Sequence, residues 1–237
     1  MLKSVTEYID SVVDTKPVRA PATKADGNGS QGNGKVAKNR DEEIFLLFFA
    51  QLMHDTNDVL DGYVEEYYAG TISYLRLTEL FTDTLQGAHT QASYLGRRLA
   101  GITTPIGAGD SQFAQSVMFE QSSFIEGLIQ DIIIGRYPLI DGALPKDLIA
   151  RILMYVHRLL GTANEAWVRS LPGDTLLYWT LGGNENHCET CPERAAHGAY
   201  IASEVTFFPG DGQSQCLTSC LCEWVTGDGQ HSYMLEN

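Results

Sequence analysis

All five cysteines of this 237-residue chain fall in its last fifty residues, in two clusters: Cys188 and Cys191 in HCETC, then Cys216, Cys220 and Cys222 in CLTSCLC. Two thiolates separated by two residues form a knuckle whose sulfurs converge on one point. A second cluster beyond a loop supplies the remaining corners of a tetrahedron. The chemistry this spacing favours is a structural zinc ion held by Cys188, Cys191, Cys216 and Cys220. The last two are chosen because their wider separation lets both sulfurs turn inward, and Cys222 is the alternative to either. Two other fates stay open for the sulfurs. They can remain reduced and buried as small apolar groups, or pair as disulfides, which an odd number leaves incomplete within one chain and which working outside a cell would favour.

Catalytic uses of the same residues fit less well. A zinc deaminase needs His-x-Glu followed by Pro-Cys-x-x-Cys; His187-Cys188-Glu189 meets the first half, but the second pair has three intervening residues and no proline before Cys216. A thiol oxidoreductase would use Cys188-Glu189-Thr190-Cys191, with the attacking thiolate at a helix start after a sheet strand, a unit the sequence does not make evident. His187 and His197 flank the knuckle as substitute ligands or, more simply, as solvent-facing or neighbouring groups. His157, beside Arg158, reads as a core-edge histidine, and no Ser-His-Asp arrangement is defensible from spacing. The expected role is therefore structural and not enzymatic.

The elements that must position these sulfurs are mainly α-helical. Val5, Tyr8, Ile9, Val12 and Val13 give residues 4–14 a short helical face, and the Gly-, Asn- and Lys-rich stretch after it reads as a flexible linker, so residues 1–40 form an arm and linker. Its Gly29, Gly34 and Lys35 approach a phosphate loop, but Val36 stands where Ser or Thr must hold magnesium. Asp41 caps a long helix with Phe45, Phe49, Leu52, Val59, Tyr63 and Tyr67 on one face and Gly70 as its stop. A second helix spans 71–100 with Leu75, Leu80, Leu85, Ala88, Ala92, Leu95 and Leu99, bent at Gly87. A third, capped by Asp110 or Ser111, carries Phe113, Val117, Phe124, Leu128, Ile132 and Ile133. A fourth starts near Pro145 and buries Leu148, Ile149, Ile152, Leu153, Val156, Leu159 and Leu160. Residues 41–172 thus make a helical body. Residues 173–237 make a small α+β cysteine-rich module with strands expected at 176–181, 204–208 and 222–225 and a short helix from Pro192 to Ala196.

Composition adds what the motifs do not. With 16 basic against 30 acidic residues the formal net charge is −14, which opposes binding to nucleic-acid phosphates or anionic lipid, so no specific nucleic acid and no membrane partner are expected. No apolar run is long enough to cross a bilayer, and the first residues lack a secretory pattern, which points to a reducing compartment.

Three stretches, RILMYVHRLLGTANEAWVRS, HCETCPERAAHGAY and FFPGDGQSQCLTSCLC, resemble the phage minor head, or head morphogenesis, proteins of the Mu F type, over about residues 144–224. The resemblance implies a virion protein made in the host cytoplasm and acting in capsid and portal assembly. Its helical body would associate with the portal or major capsid protein, with homo-oligomers a further option, and its cysteine module would be structural. Where the family often has a histidine three residues before its Cys-x-Cys, this chain has Cys216 four before Cys220, which leaves the ligand set open. Tyr63, Tyr67, Tyr68 and Tyr74 are candidates for subunit contacts. The competing function is a thiol oxidoreductase or other particle-borne enzyme using the Cys188–Cys191 pair.

Overall fold

Four long helices precede a small sheet in the structure, a computed structural model that describes residues 40–182 and 187–232. The expected arm, the linker and the Gly29–Lys35 stretch lie outside the described residues. The elements run α1 Arg40–Tyr68, α2 Tyr74–Leu99, α3 Ala108–Ile133, α4 Lys146–Ser170, β1 Leu176–Thr180, α5 Thr190–Ala196, β2 Ala199–Ile201 and β3 Glu223–Thr226. Single 3-10 turns occupy Ala202–Glu204 and Leu217–Ser219. The expected mainly helical class with a small cysteine-rich α+β end is what the chain adopts.

Helix α2 is the hub, touching α1, α3 and α4, while α1 also reaches α4. Its buried Leu77, Phe81, Leu85, Ala88, Ala92 and Leu95 recur every three or four residues, so one stripe faces inward along the whole helix. Burying each large apolar side chain contributes about 1.5–3 kcal/mol. The stripe is rotated from the expected one, since Leu75 is exposed, and the helix runs unbroken through Gly87. Ser73 is the cap, its hydroxyl accepting from the Arg76 N–H at 3.2 Å. Helix α1 stops as expected at Gly70, whose φ of 72° only glycine adopts freely.

Helix α3 departs most from its expected face. Phe124 is exposed, as is Ile133, because the inward stripe is Ala114, Val117, Met118, Ile125, Leu128, Ile129 and Ile132. The helix begins at Ala108, so Asp110 does not precede it. It sits in the first turn, accepting from the Gly107 N–H at 3.0 Å, from Ser93 Oγ at 2.9 Å and from Arg97 Nε and Nη2 at 2.8 and 2.6 Å. Burial raises the Asp110 carboxyl, but these donors outweigh it and hold it below its ordinary value. In α4 the expected Ile149 is exposed and Leu153 only partly buried, while Leu148, Ile152, Val156, Leu159 and Leu160 are buried.

The sheet has the order β2-β1-β3, antiparallel throughout, with Leu177 opposite Tyr200 and Trp179 opposite Trp224. The strand expected at 204–208 does not form. Residues 199–201 pair instead, and Phe207–Gly212 closes into a loop in which Asp211 accepts from the Phe208 and Gln213 N–H groups at 2.6 and 2.7 Å. A side chain that binds its own backbone removes the donors a strand needs.

Two cores result. One gathers the four helices from Phe45 to Ala163; the other gathers Trp167, Val168, Leu177, Trp179, Phe208, Trp224 and the buried cysteines. Helix α4 contributes to both. At their junction each residue of Gly161-Thr162-Ala163-Asn164 has its own contact. A Cβ on Gly161 would lie 2.5 Å from the Gly210 carbonyl oxygen, and one on Gly96 would lie 2.1 Å from that of Ala163. Asn164 Nδ2 donates to the Pro209 carbonyl at 2.9 Å. Thr162 Oγ1 lies 2.8 Å from His89 Nδ1, whose Nε2 faces Gln121 Nε2 at 3.0 Å. Because the amide of Gln121 donates, Nε2 accepts and Nδ1–H donates to Thr162, so the ring is neutral. Burial, then the charge of Arg158, lowers the His89 pKa to about 3.

Gly87 and Gly96 share one helix, yet nothing lies within 4 Å of a Cβ on Gly87. Gly87→Ala therefore gains about 1 kcal/mol of stability from helix propensity, whereas Gly96→Ala loses about 1–3 kcal/mol, and chemical denaturation reads both signs. His89 takes no proton in the fold until about pH 3, while the unfolded histidine does so near 6.5. Its contribution is thus flat above pH 6.5 and falls as pH drops toward 3, by about 2 kcal/mol at pH 5. A titration of the His89 ring protons by NMR with a midpoint near 6.5 would contradict this.

Candidate metal centre

Short local devices aim the five sulfurs. Cys188 lies just before α5 and Cys191 in its first turn, and the Cys191 N–H donates to the Cys188 carbonyl at 3.3 Å, which folds the knuckle. Cys216 and Cys220 flank the 3-10 turn Leu217–Ser219, where Leu217 takes a φ of 51°. A left-handed leucine costs about 1–2 kcal/mol, so the surrounding contacts must hold it there. The Glu189 N–H donates to Gln215 Oε1 at 3.1 Å and ties one knuckle to the other. Behind them a Cβ on Gly182 would lie 2.0 Å from the Leu221 carbonyl oxygen, so the chain leaving β1 runs hard against the Cys220–Cys222 segment.

The sulfurs form two triangles that share Cys191. Cys188, Cys191 and Cys216 lie 3.4, 3.6 and 3.8 Å apart, and Cys191 lies 3.8 Å from Cys220. Cys191, Cys220 and Cys222 make up the second group, all within 4.8 Å of one another. Four sulfurs at ~2.3 Å from one ion stand about 3.8 Å apart, so the short edges match a metal–thiolate tetrahedron. All five thiols are free, and the distances exceed the ~2.05 Å of a disulfide. Of the expected ligands, Cys188, Cys191 and Cys216 share one group, while Cys220 falls with Cys191 and Cys222 in the other. A cluster of this composition can hold a metal ion.

The electrostatics favour a cation. Burial pushes the Cys191 thiol well up, helped by the nearby Cys220, and lifts Cys216 to about 11. Cys220 is raised first by its hydrogen bond with Cys222 and then by burial. The Cys191, Cys216 and Cys220 thiolates are thus opposed by burial and by neighbouring sulfurs, an opposition that a positive ion among them relieves. At the rim, burial raises Cys188, but hydrogen bonds from the Cys191 and Cys216 thiols and backbone outweigh it and bring the thiol to about 7.

Histidine takes no part. His187 belongs to neither triangle, and His197 stacks on Tyr200 with ring centroids 4.2 Å apart. His231 Nδ1 lies 3.0 Å from Glu223 Oε2, and the half-buried His157 sits at the core edge with its pKa lowered by desolvation. Beside the sulfurs stands an aromatic shell: Trp224 meets Trp179 edge-on at 5.0 Å and Tyr200 at 5.1 Å, while the Arg194 guanidinium lies 4.1 Å from the Phe207 ring centre. Arg194 belongs to α5, so the helix that carries Cys191 also clamps the loop at Phe207.

Sequence reasoning missed the contacts that dock this module. Arg158 is buried at the junction near Asp211 and Glu165, with Nη2 3.7 Å from Glu120 Oε2. Its only signal was a charge inside an otherwise apolar helical stretch. Asp211 announced itself better, since an aspartate between two glycines marks a turn. Nor is the glycine-rich loop at 101–109 an anion site. Arg97 there is paired with Asp110, and Arg169, which lines the same cleft, is paired with Glu165.

Compared with known proteins, the chain matches no family model, no curated protein and no solved structure.

Cys191 is the sulfur common to both triangles, so Cys191→Ser abolishes metal binding and loosens the aromatic shell. Near-ultraviolet circular dichroism from Trp179 and Trp224 collapses while the far-ultraviolet helical signal persists. An unchanged near-ultraviolet spectrum in the metal-free variant would contradict the assignment.

Proposed function

We propose that this chain is a structural minor head protein of a tailed phage, whose helical body docks on the portal or major capsid protein. One zinc ion on Cys188, Cys191, Cys216 and Cys220 holds its carboxy-terminal module in shape. The observation that carries the reading is the meeting of the three stretches behind the resemblance. Gly161–Asn164 of α4 contacts the 207–212 loop, and the two cysteine clusters close on each other beside it. Zinc follows from donor chemistry, because four thiolates are its usual structural site, and the 3.4–3.8 Å edges that join Cys188, Cys191 and Cys216 to one another and Cys191 to Cys220 have tetrahedral length.

An assembly role also fits the surface. Phe119 is 82% exposed, Phe124 67% and Ile134 65%, which offers apolar contacts on and just beyond α3. These replace most of the tyrosines expected there. Tyr63, Tyr67 and Tyr68 are partly buried against the helical core, Tyr68 donating to the Tyr137 carbonyl, and Tyr74 alone of the four is exposed. The acidic balance keeps packaged DNA from binding the protein indiscriminately.

Purified particles test the reading: the chain is expected at fixed copy number, with zinc in proportion to it. Its absence from particles, or a copy number that varies between preparations, would overturn the proposal. One observation favours the competing oxidoreductase, namely the Cys188 thiol near 7 lying 3.4 Å from Cys191 at the start of α5. Turnover of a disulfide substrate by the isolated chain, lost in Cys188→Ser, would decide for it.

A further inference from the structure

We propose that the centre takes a second ion, copper(I), in three-coordinate fashion on the Cys191–Cys220–Cys222 triangle. This rests on the one-zinc reading and extends it. A zinc ion on Cys188, Cys191, Cys216 and Cys220 leaves Cys222 without a role, yet Cys222 lies with Cys191 and Cys220 inside one 4.8 Å group. Three sulfurs around one ion at ~2.3 Å stand about 4 Å apart, close to the 3.8 Å Cys191–Cys220 edge and inside the 4.8 Å that bounds the group. Cys191 and Cys220 would then bridge the two metals, sharing the 3.8 Å edge between them.

Burial selects the ion. Cys191, Cys220 and Cys222 are 1%, 0% and 2% exposed, and the group contains three sulfurs and no further ligand among the described residues. A divalent zinc ion there would lack its fourth donor, and water cannot supply it from solvent. Soft thiolate donors suit copper(I), which is satisfied by three of them. The outer triangle differs, because Cys188 and Cys216 are only half-buried.

Binding needs no change of oxidation state. Copper(I) enters as copper(I), a sulfur–copper bond forms at Cys222, and any proton on that sulfur passes to the buffer.

The test uses the full chain, zinc-loaded and held without oxygen. Copper(I) is delivered as its acetonitrile complex against bicinchoninate as competing chelator, with native mass spectrometry as the readout. A species with one zinc and one copper is expected at one equivalent, and Cys222→Ser keeps zinc but forms no mixed species. Copper displacing zinc one for one, or mixed species formed equally by Cys222→Ser, would overturn the second site alone. A chain that binds no zinc at the outset would sink the one-zinc reading instead. Should Cys222→Ser fail to fold, the wild-type mass and the sulfur count at the copper absorption edge still decide.

Discussion

The approach of bare backbone to bare backbone along the middle of α4 governs everything downstream of it. At Gly96 against Ala163, and at Gly161 against Gly210, there is no space for a single added carbon. Helix α2 and the 207–212 loop therefore grip opposite sides of one turn of α4, and the cysteine module inherits its position from a helix fixed in the bundle. Thr162 and Asn164 complete the junction with directed hydrogen bonds to His89 and the Pro209 carbonyl, which dispersion alone would not orient. Such an interface tolerates little variation, because overpacking there moves backbone and not merely a side-chain tip.

The module beyond that turn is small. Its sheet has strands of five, three and four residues, too little to stand alone in water. Trp167 and Val168 of α4 lend it part of a core, and the aromatic group of Trp179, Tyr200, Phe207 and Trp224 supplies most of the rest. What remains at the centre is sulfur. Buried thiols are weakly cohesive by themselves, and a cation binding several of them converts a polarizable void-filler into a cross-link between α5 and the loop ahead of β3. A metal also escapes the parity problem that five cysteines present to disulfides.

Legibility in the sequence followed locality. Four helices could be placed because apolar residues repeat every three or four positions, and their stops at Gly70 and Gly135 are glycines in the left-handed region. Faces were harder. On α3 the apolar residues outnumber those one stripe can bury, so the period placed Phe124 inward and left Phe119 unassigned, and both point out. The strand expected at 204–208 failed for a related reason: its β-branched and aromatic residues suit a strand, but Asp211 captures the Phe208 N–H and closes the segment into a loop. His89 looked ordinary in the sequence, and only its two partners on other helices define it.

By itself the sequence determined the donor chemistry, the helical class and the order of elements, since these depend on residue type and on spacing within one turn or one knuckle. Tertiary structure decided which sulfurs meet. Cys188 and Cys191 are bound to converge by the two residues between them. That Cys216 reaches Cys188, and that Cys222 closes a second triangle through Cys191, depends on how the Leu217 turn and the Gly182–Leu221 contact set two distant segments against each other. Distances between segments far apart in the chain are fixed by packing, and no local pattern encodes them.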